Sequence, residues 1–309
     1  MAWFSNQEEI RQFLGRNPRI QTMAKLFWRR GKKIGLGVSK TSLQRTMTRQ
    51  ERRLRKSLGI GTSMEKTLLD SKSFWLLWNV TRNVVSPTSG HGWTVLDAGA
   101  SNGWYSKILQ RYIPQADFKL FEPLSEYSEQ LSALCDKCSN FDYLPMALGS
   151  HTGLGILNYS RGFDGLSSMF DRNPQYEYFA GTFDAAGVER REVFVNTLDN
   201  YLSESQHDGP VFLKLDCQGA EFDILRGAQR ALSSRIVVVH AELLLIDKYQ
   251  MGSSFTEVFA FMEDCGFVIF DINPTYKELD GMPDFFGFQG QLTEAEVIFV
   301  RSDYAPVRH

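Results

Sequence analysis

The residues of this chain with the clearest chemistry are carboxylates and glycines set at the ends of apolar runs. Asp97-Ala98-Gly99-Ala100-Ser101-Asn102-Gly103 follows Thr94-Val95-Leu96. A strand that delivers an acid and then Gly-x-x-x-Gly fits the first strand-to-helix turn of an open α/β sheet, where nucleotide-like ligands are cradled. Glycine allows the tight turn and a ligand approach that a Cβ would block. The spacing also discriminates between ligands. A dinucleotide site has G-x-G-x-x-G, with the helix N-terminus aimed at a pyrophosphate. Here Ser101 takes the place of the middle glycine, and Asp97 puts a negative charge where the pyrophosphate would lie. An amino-bearing or cationic ligand suits that position, and S-adenosylmethionine (SAM) has both a sulfonium and an α-amino group. Taken alone, the same pattern also serves as a plain tight turn in other α/β proteins.

Further candidates follow along the chain. Glu122 ends a second apolar run, 25 residues after Asp97. A carboxylate there can accept hydrogen bonds from both hydroxyls of a ribose. Met146-Ala147-Leu148-Gly149 offers small and apolar residues that could pack on an adenine ring, or simply a strand with a glycine stop. Leu213-Lys214-Leu215-Asp216-Cys217-Gln218-Gly219-Ala220-Glu221 carries Asp216 to the carboxyl end of a strand, where α/β sheets place their ligands. Acids and a lysine so close together are costly unless they pair or bind something, and Lys214 could hold a carboxylate ionised. A purely structural ion-pair network reads equally from the same residues. In His240-Ala241-Glu242 the two polar residues share a strand face. Both are placed to reach the crevice, Glu242 as a candidate base and His240 more simply as a hydrogen-bonded core residue. Asp216, Glu221 and Glu242 are candidates for a base; Asp216 or Glu242 is the expected catalytic residue, with Glu221 capping or pairing beyond the turn.

The elements that must position these residues alternate, which argues for a mostly parallel sheet wrapped by helices. Strands are expected at 93–98, 118–122, 143–148, 211–216, 236–241, 267–272 and 296–300. Helices are expected after the first glycine turn to about 111, over 125–134 and over 254–265. Residues 149–189 read as irregular, with hairpins and a loop covering the site. Upstream, 8–28 and 42–58 read as helical, 31–40 as a loop, and 63–84 as a helix opened by Ser63.

The net charge of −2 hides a split: residues 1–58 carry a net +12 and the remainder −14. This divides the chain into a basic helical extension, 1–62, and an α/β domain, 63–309, with its core at 93–301. The extension could contact an anionic surface, or be a solvated or packed helical face, the simpler reading of a charge run. Nucleic acid is not the expected partner. There is no run of 18 apolar residues to span a membrane, and the first residues lack a secretory pattern, so a cytoplasmic location is expected. Cys135 and Cys138 form one C-x-x-C. A zinc site would need a second ligand pair, so reduced, unrelated thiols are expected.

Together, Val95-Leu96-Asp97-Ala98-Gly99-Ala100-Ser101-Asn102-Gly103, Phe121-Glu122-Pro123, Ala147-Leu148-Gly149, Leu198-Asp199-Asn200-Tyr201-Leu202 and the 213–221 segment resemble the FkbM family of SAM-dependent methyltransferases. The pairing of Leu-Asp-x-Tyr with Lys-x-Asp-x-x-Gly-x-Glu is the most family-specific element. The resemblance covers about 93–301. It implies a class I methyltransferase fold, Rossmann-like, with a seven-stranded, mostly parallel sheet, helices on both faces and an antiparallel last strand. It also implies that Asp97, Gly99 and Gly103, with Ala100, Ser101 and Asn102 between them, line the methionine part of SAM. Glu122 would then hold the ribose, Ala147 and Leu148 the adenine, and Glu242 would stand at the family's strand-five acidic position. Cys217 stands where an aliphatic residue is common. The implied reaction is O-methylation of a small-molecule or glycan hydroxyl on a sugar, glycolipid or secondary metabolite. Tyr176-Glu177-Tyr178-Phe179 and Phe285-Phe286-Gly287-Phe288 are candidates to stack on such an acceptor. The alternative is a non-catalytic protein docked through its basic N-terminus.

Overall fold

The chain divides into two units, Met1–Lys66 and Thr67–His309. The computed structural model describes residues 77, 79–85, 92–161, 164–173, 187–205, 208–250, 252, 254–275 and 294–305. The basic segment, the 176–179 and 285–288 aromatics and most of the helix expected at 63–84 lie outside them. The described end of that helix closes as a π-turn, Thr81–Val85.

In chain order the elements are β1 (Thr94–Ala98), α1 (Trp104–Gln110), β2 (Asp117–Phe121), α2 (Ser128–Lys137), β3 (Phe141–Leu144), β4 (Ala147–Leu148), β5 (Gly153–Ser160), β6 (Val188–Asn196), α3 (Leu198–Glu204), β7 (Val211–Leu215), α4 (Glu221–Arg226), α5 (Gln229–Ser234), β8 (Ile236–Leu244), α6 (Phe255–Asp264), β9 (Phe267–Thr275) and β10 (Glu294–Arg301). The main sheet has the order β3-β2-β1-β7-β8-β10-β9. Its β3, β2, β1, β7 and β8 run parallel. β10 lies antiparallel between β8 and β9. This is the class I methyltransferase architecture that the resemblance implies, antiparallel last strand included.

Why the central strands read as unbroken apolar runs is visible in their burial. Every residue of β1 and β7 is buried, as expected for parallel strands covered on both faces. Alternate side chains feed two separate cores. Leu96, Leu213, Val239 and Phe299 pack with α3 to α6. Val95, Phe118, Phe212 and Ile298 pack with α1, α2 and Leu77 to Val85. Helices therefore cover both faces.

One expectation changes and two gain detail. The strand expected at 143–148 is two pieces, β3 and β4, because Pro145 between them offers no N–H to continue the ladder. Past Pro145 the chain joins a second, three-stranded sheet of order β4-β6-β5. The irregular 149–189 stretch contains β5, which pairs antiparallel with β6 along its whole length. The helix expected at 125–134 starts as a 3-10 turn, Ser125–Tyr127, before α2.

Candidate active site

The carboxyl ends of β1, β2, β7 and β8 open on one cavity of about 310 Å3, within the range of small-molecule sites. Its wall combines Gly99 and Ser101 of the first turn, Glu122 beyond β2, residues 146–148, Asp216 to Gln218 beyond β7, and Glu242 on β8. Gly165, Leu166, Ser167 and Met169 cover it from the segment after β5.

The first turn is built by backbone. The Gly99 and Ala100 N–H groups both donate to Phe121 O at 3.1 Å. Gly99 has φ +73°, and a Cβ there would lie 2.1 Å from Asp216 O. The missing side chain therefore makes room for the end of β7. Ser101 holds a left-handed conformation with φ 49° without being glycine, a strained geometry that concentrates at functional sites. Its N–H donates to Glu122 Oε2 at 2.8 Å, and the Leu124 N–H donates to Oε1 at 2.9 Å. Each Glu122 oxygen keeps a lone pair for one more donor, which fits the two hydroxyls of a ribose. Burial pushes this carboxyl up to about 7, against the two N–H donors.

Asp97 sits below this turn. It is fully buried, accepts from Ser106 Oγ at 2.6 Å, and has Lys214 Nζ 4.0 Å from Oδ1. Oδ1 takes no hydrogen bond among the described residues. Burial raises its pKa, against Lys214 and Ser106. Neither Asp97, Ala100, Asn102 nor Gly103 is part of the cavity wall. Gly103, φ +73°, starts α1, and a Cβ there would press on Leu134 Cδ2 at 2.8 Å. Asn102 Oδ1 accepts the Trp104 N–H at 3.0 Å. These residues shape the turn from behind, while Gly99, Ser101, Glu122, Ala147 and Leu148 face the cavity.

At the far wall Asp216 and Glu242 come together from neighbouring strands. Lys214 Nζ donates to Asp216 Oδ2 at 2.9 Å. One amide nitrogen, Gln218 Nε2, lies 3.2 Å from Asp216 Oδ1 and 3.2 Å from Glu242 Oε2. Burial opposes ionisation of Asp216, but the Lys214 ammonium, Gln218 and Glu242 outweigh it and hold the carboxyl below its usual range. Glu242 goes the other way: burial, then the Asp216 charge, push it well up. Lys214 stays charged because Asp216 and Asp97 overcome its burial. Glu221 accepts the Cys217 and Gly219 N–H groups at 2.8 and 3.0 Å, so it fastens the loop. His240 shares its strand face with Glu242 but is not in the cavity wall. Its Nδ1 is 2.7 Å from the Tyr105 hydroxyl, and Glu296 faces Nε2 at 3.5 Å.

Sequence reasoning missed Gln218 and Tyr249; it placed a covering loop within 149–189, where Gly165 to Met169 stand, without naming the residues that line the cavity. The covering residues lie in a stretch without periodicity, marked in the sequence only by Gly165. Gln218 carries no signal of its own, because its φ of 51° is set by the loop rather than by residue type. Among the described residues no group of three acids, histidines or cysteines is placed to hold a metal. The four described cysteines are free thiols. No described helix is long and apolar enough to cross a membrane.

A family model for the "Methyltransferase FkbM domain" matches residues 97–269. A curated relative, methyltransferase sdnD of Sordaria araneosa, is 28% identical over 198 residues, covering 57% of this chain and 73% of its own. Among solved structures, an rRNA methylase from Streptococcus thermophilus aligns over 75% of this chain and 97% of its own, at 9% identity and TM-score 0.40. Aeropyrum pernix fibrillarin, crystallised with bound SAM, aligns over 72% and 76%, at 11% identity and TM-score 0.35. At these scores the likeness is remote, and the fold rests on the strand order and the family match.

Proposed function

The chain belongs to the FkbM family of SAM-dependent methyltransferases, and from that premise we propose that it methylates a hydroxyl oxygen of a small-molecule or glycan acceptor, such as a sugar, glycolipid or secondary metabolite. The observation that carries this reading is the Asp216–Glu242 pair in the wall of the cavity that also presents Gly99, Ser101 and Glu122.

The residues present fit SAM. Glu122 has capacity for the ribose hydroxyls, residues 146–148 offer an apolar wall for the adenine, and the buried Asp97 charge lies under the turn that would meet the amino-acid end. When bound, SAM supplies a methyl group already activated by its sulfonium. The protein is left with alignment, exclusion of water and handling of one proton. The acceptor hydroxyl loses that proton as its oxygen bonds to the methyl carbon, so a base must stand within hydrogen-bond reach. Asp216 is held ionised by Lys214 and takes the proton. Glu242 is the neutral partner. The covering segment, with Leu166 and Met169, keeps water from the reacting atoms.

The test pairs binding with transfer. Titration calorimetry with SAM and its demethylated product establishes the cofactor site, with Asp97→Ala and Glu122→Ala expected to weaken it. Asp216→Asn and Glu242→Gln should then keep product affinity while transfer to a panel of hydroxylated acceptors drops roughly 10²- to 10⁴-fold. Near-normal turnover in both folded variants would remove the pair from the chemistry.

A further inference from the structure

Gln218 sits at the centre of the far wall and is held at three points. Its backbone is left-handed, with φ 51°. Its carbonyl oxygen accepts from Ser168 Oγ of the covering segment at 2.7 Å. Its side-chain oxygen accepts from the Tyr249 hydroxyl at 3.1 Å. The same hydroxyl lies 3.3 Å from Leu166 O; its one proton is placed for the nearer Gln218 oxygen, which leaves Oε1 facing a donor. With Oε1 turned to a donor, Nε2 points at Asp216 and Glu242, both 3.2 Å away. The opposite orientation would set an amide oxygen against the ionised Asp216, an acceptor against an acceptor. Tyr249 is itself fixed: it is buried, and its ring packs against Gly219.

We propose that Gln218 is a positioning residue that holds Asp216 and Glu242 side by side as one proton-accepting unit, and that Tyr249 sets the direction of its amide. The role as base rests on the methyltransferase reading, whereas the holding of the pair does not. The same residue ties the covering segment to the pair through Ser168. The charged and titratable groups that face the two carboxyls are Lys214 on β7, Asp97 on β1, Tyr105 on α1, Cys217, Glu221 and Tyr249 around the loop, and Lys248 and Glu294 beside Glu242.

The experiment is a carboxyl-carbon NMR titration of the full chain with labelled Asp and Glu, which needs no acceptor. Gln218→Leu removes the amide donors and should move the Asp216 midpoint upward by about 1 pH unit, the usual order for a lost hydrogen bond to a carboxylate. Tyr249→Phe keeps the ring and the loop, and should move the same midpoint upward by less. If Gln218→Leu does not fold, Tyr249→Phe carries the test alone. A purely structural role predicts no movement in Tyr249→Phe. An Asp216 midpoint unchanged in Tyr249→Phe, or in folded Gln218→Leu, overturns the proposal. Its failure leaves the methyltransferase reading standing, because that reading is tested by SAM binding and transfer.

Discussion

In the proposed role of accepting two ribose hydroxyls Glu122 has to be ionised, yet burial pushes its carboxyl up to about 7. A ligand that takes the ionised form binds more tightly as pH rises toward that value, then levels off. The affinity for the demethylated product should be roughly fivefold lower one pH unit below that value than at it. Calorimetry across neutral pH reads this directly, and Glu122→Gln should flatten the Glu122 contribution and weaken binding about tenfold. A wild-type profile with no loss of affinity on the acid side would place the ribose elsewhere. Gly99 makes a different demand. An alanine there meets both a positive φ and Asp216 O at 2.1 Å, so Gly99→Ala should cost about 2 kcal/mol or more in chemical denaturation. Asp97 and Gly103 act on the turn from its inner side. Their types and positions mark the turn correctly, but Asp97 faces the interior with Ser106, and Gly103 faces Leu134.

The helices are specified by local chemistry. Ser254 and Glu257 form a reciprocal capping box at the start of α6, and Thr197 caps α3 by accepting the Asn200 N–H at 3.0 Å. Ser254→Ala should cost about 1 kcal/mol in thermal or chemical denaturation and leave product affinity unchanged, since a cap acts on its own helix. Altered affinity in that variant would mean that α6 reaches the site. The strands were legible for a related reason: continuous apolar runs suit parallel strands buried on both faces. The misreading at 143–148 came from treating Pro145 as interior to one strand. β5 and β6 were less legible because the exposed positions of β5 are apolar, with Leu154 66% exposed, and those of β6 mix apolar and charged residues, so the period-2 signal is weak.

At the scale of the whole molecule, buried acids set much of the pH response among the described residues. Burial raises the pKa of Asp97 and Glu242, and brings Glu122 and Glu221 to about 7. A carboxyl whose folded pKa lies above its unfolded value binds its proton more tightly when folded. Stability is therefore greatest below the unfolded value and falls as pH rises between the two. For Glu122 and Glu221 this window runs from the ordinary 4.5 to about 7. Each loss is at most about 3 kcal/mol. Asp216 works in the opposite sense, since its folded pKa is lowered, and its contribution disappears only at more acidic pH. Without ligand, the protein should become less stable to denaturant as pH rises through that window. The demethylated product should restore part of the loss by binding the ionised Glu122. A stability that is flat or rising across the window would mean that these carboxyls are better solvated than their burial indicates.

The sequence by itself determined most strands of the main sheet, where the glycine turn lies and which carboxylates end the central strands. These follow from apolar periodicity and turn chemistry, which act over a few residues. The tertiary structure alone decided which of those carboxylates meet. Asp216 and Glu242 belong together because β7 and β8 are neighbours in the sheet. Tyr249 reaches Gln218, and Ser168 closes over it, because loops distant in sequence converge on that end of the sheet. Whether a polar side chain faces ligand or interior is likewise settled by packing. His240 and Glu242 share a strand face, but the Tyr105 hydroxyl occupies His240 while Glu242 opens on the cavity.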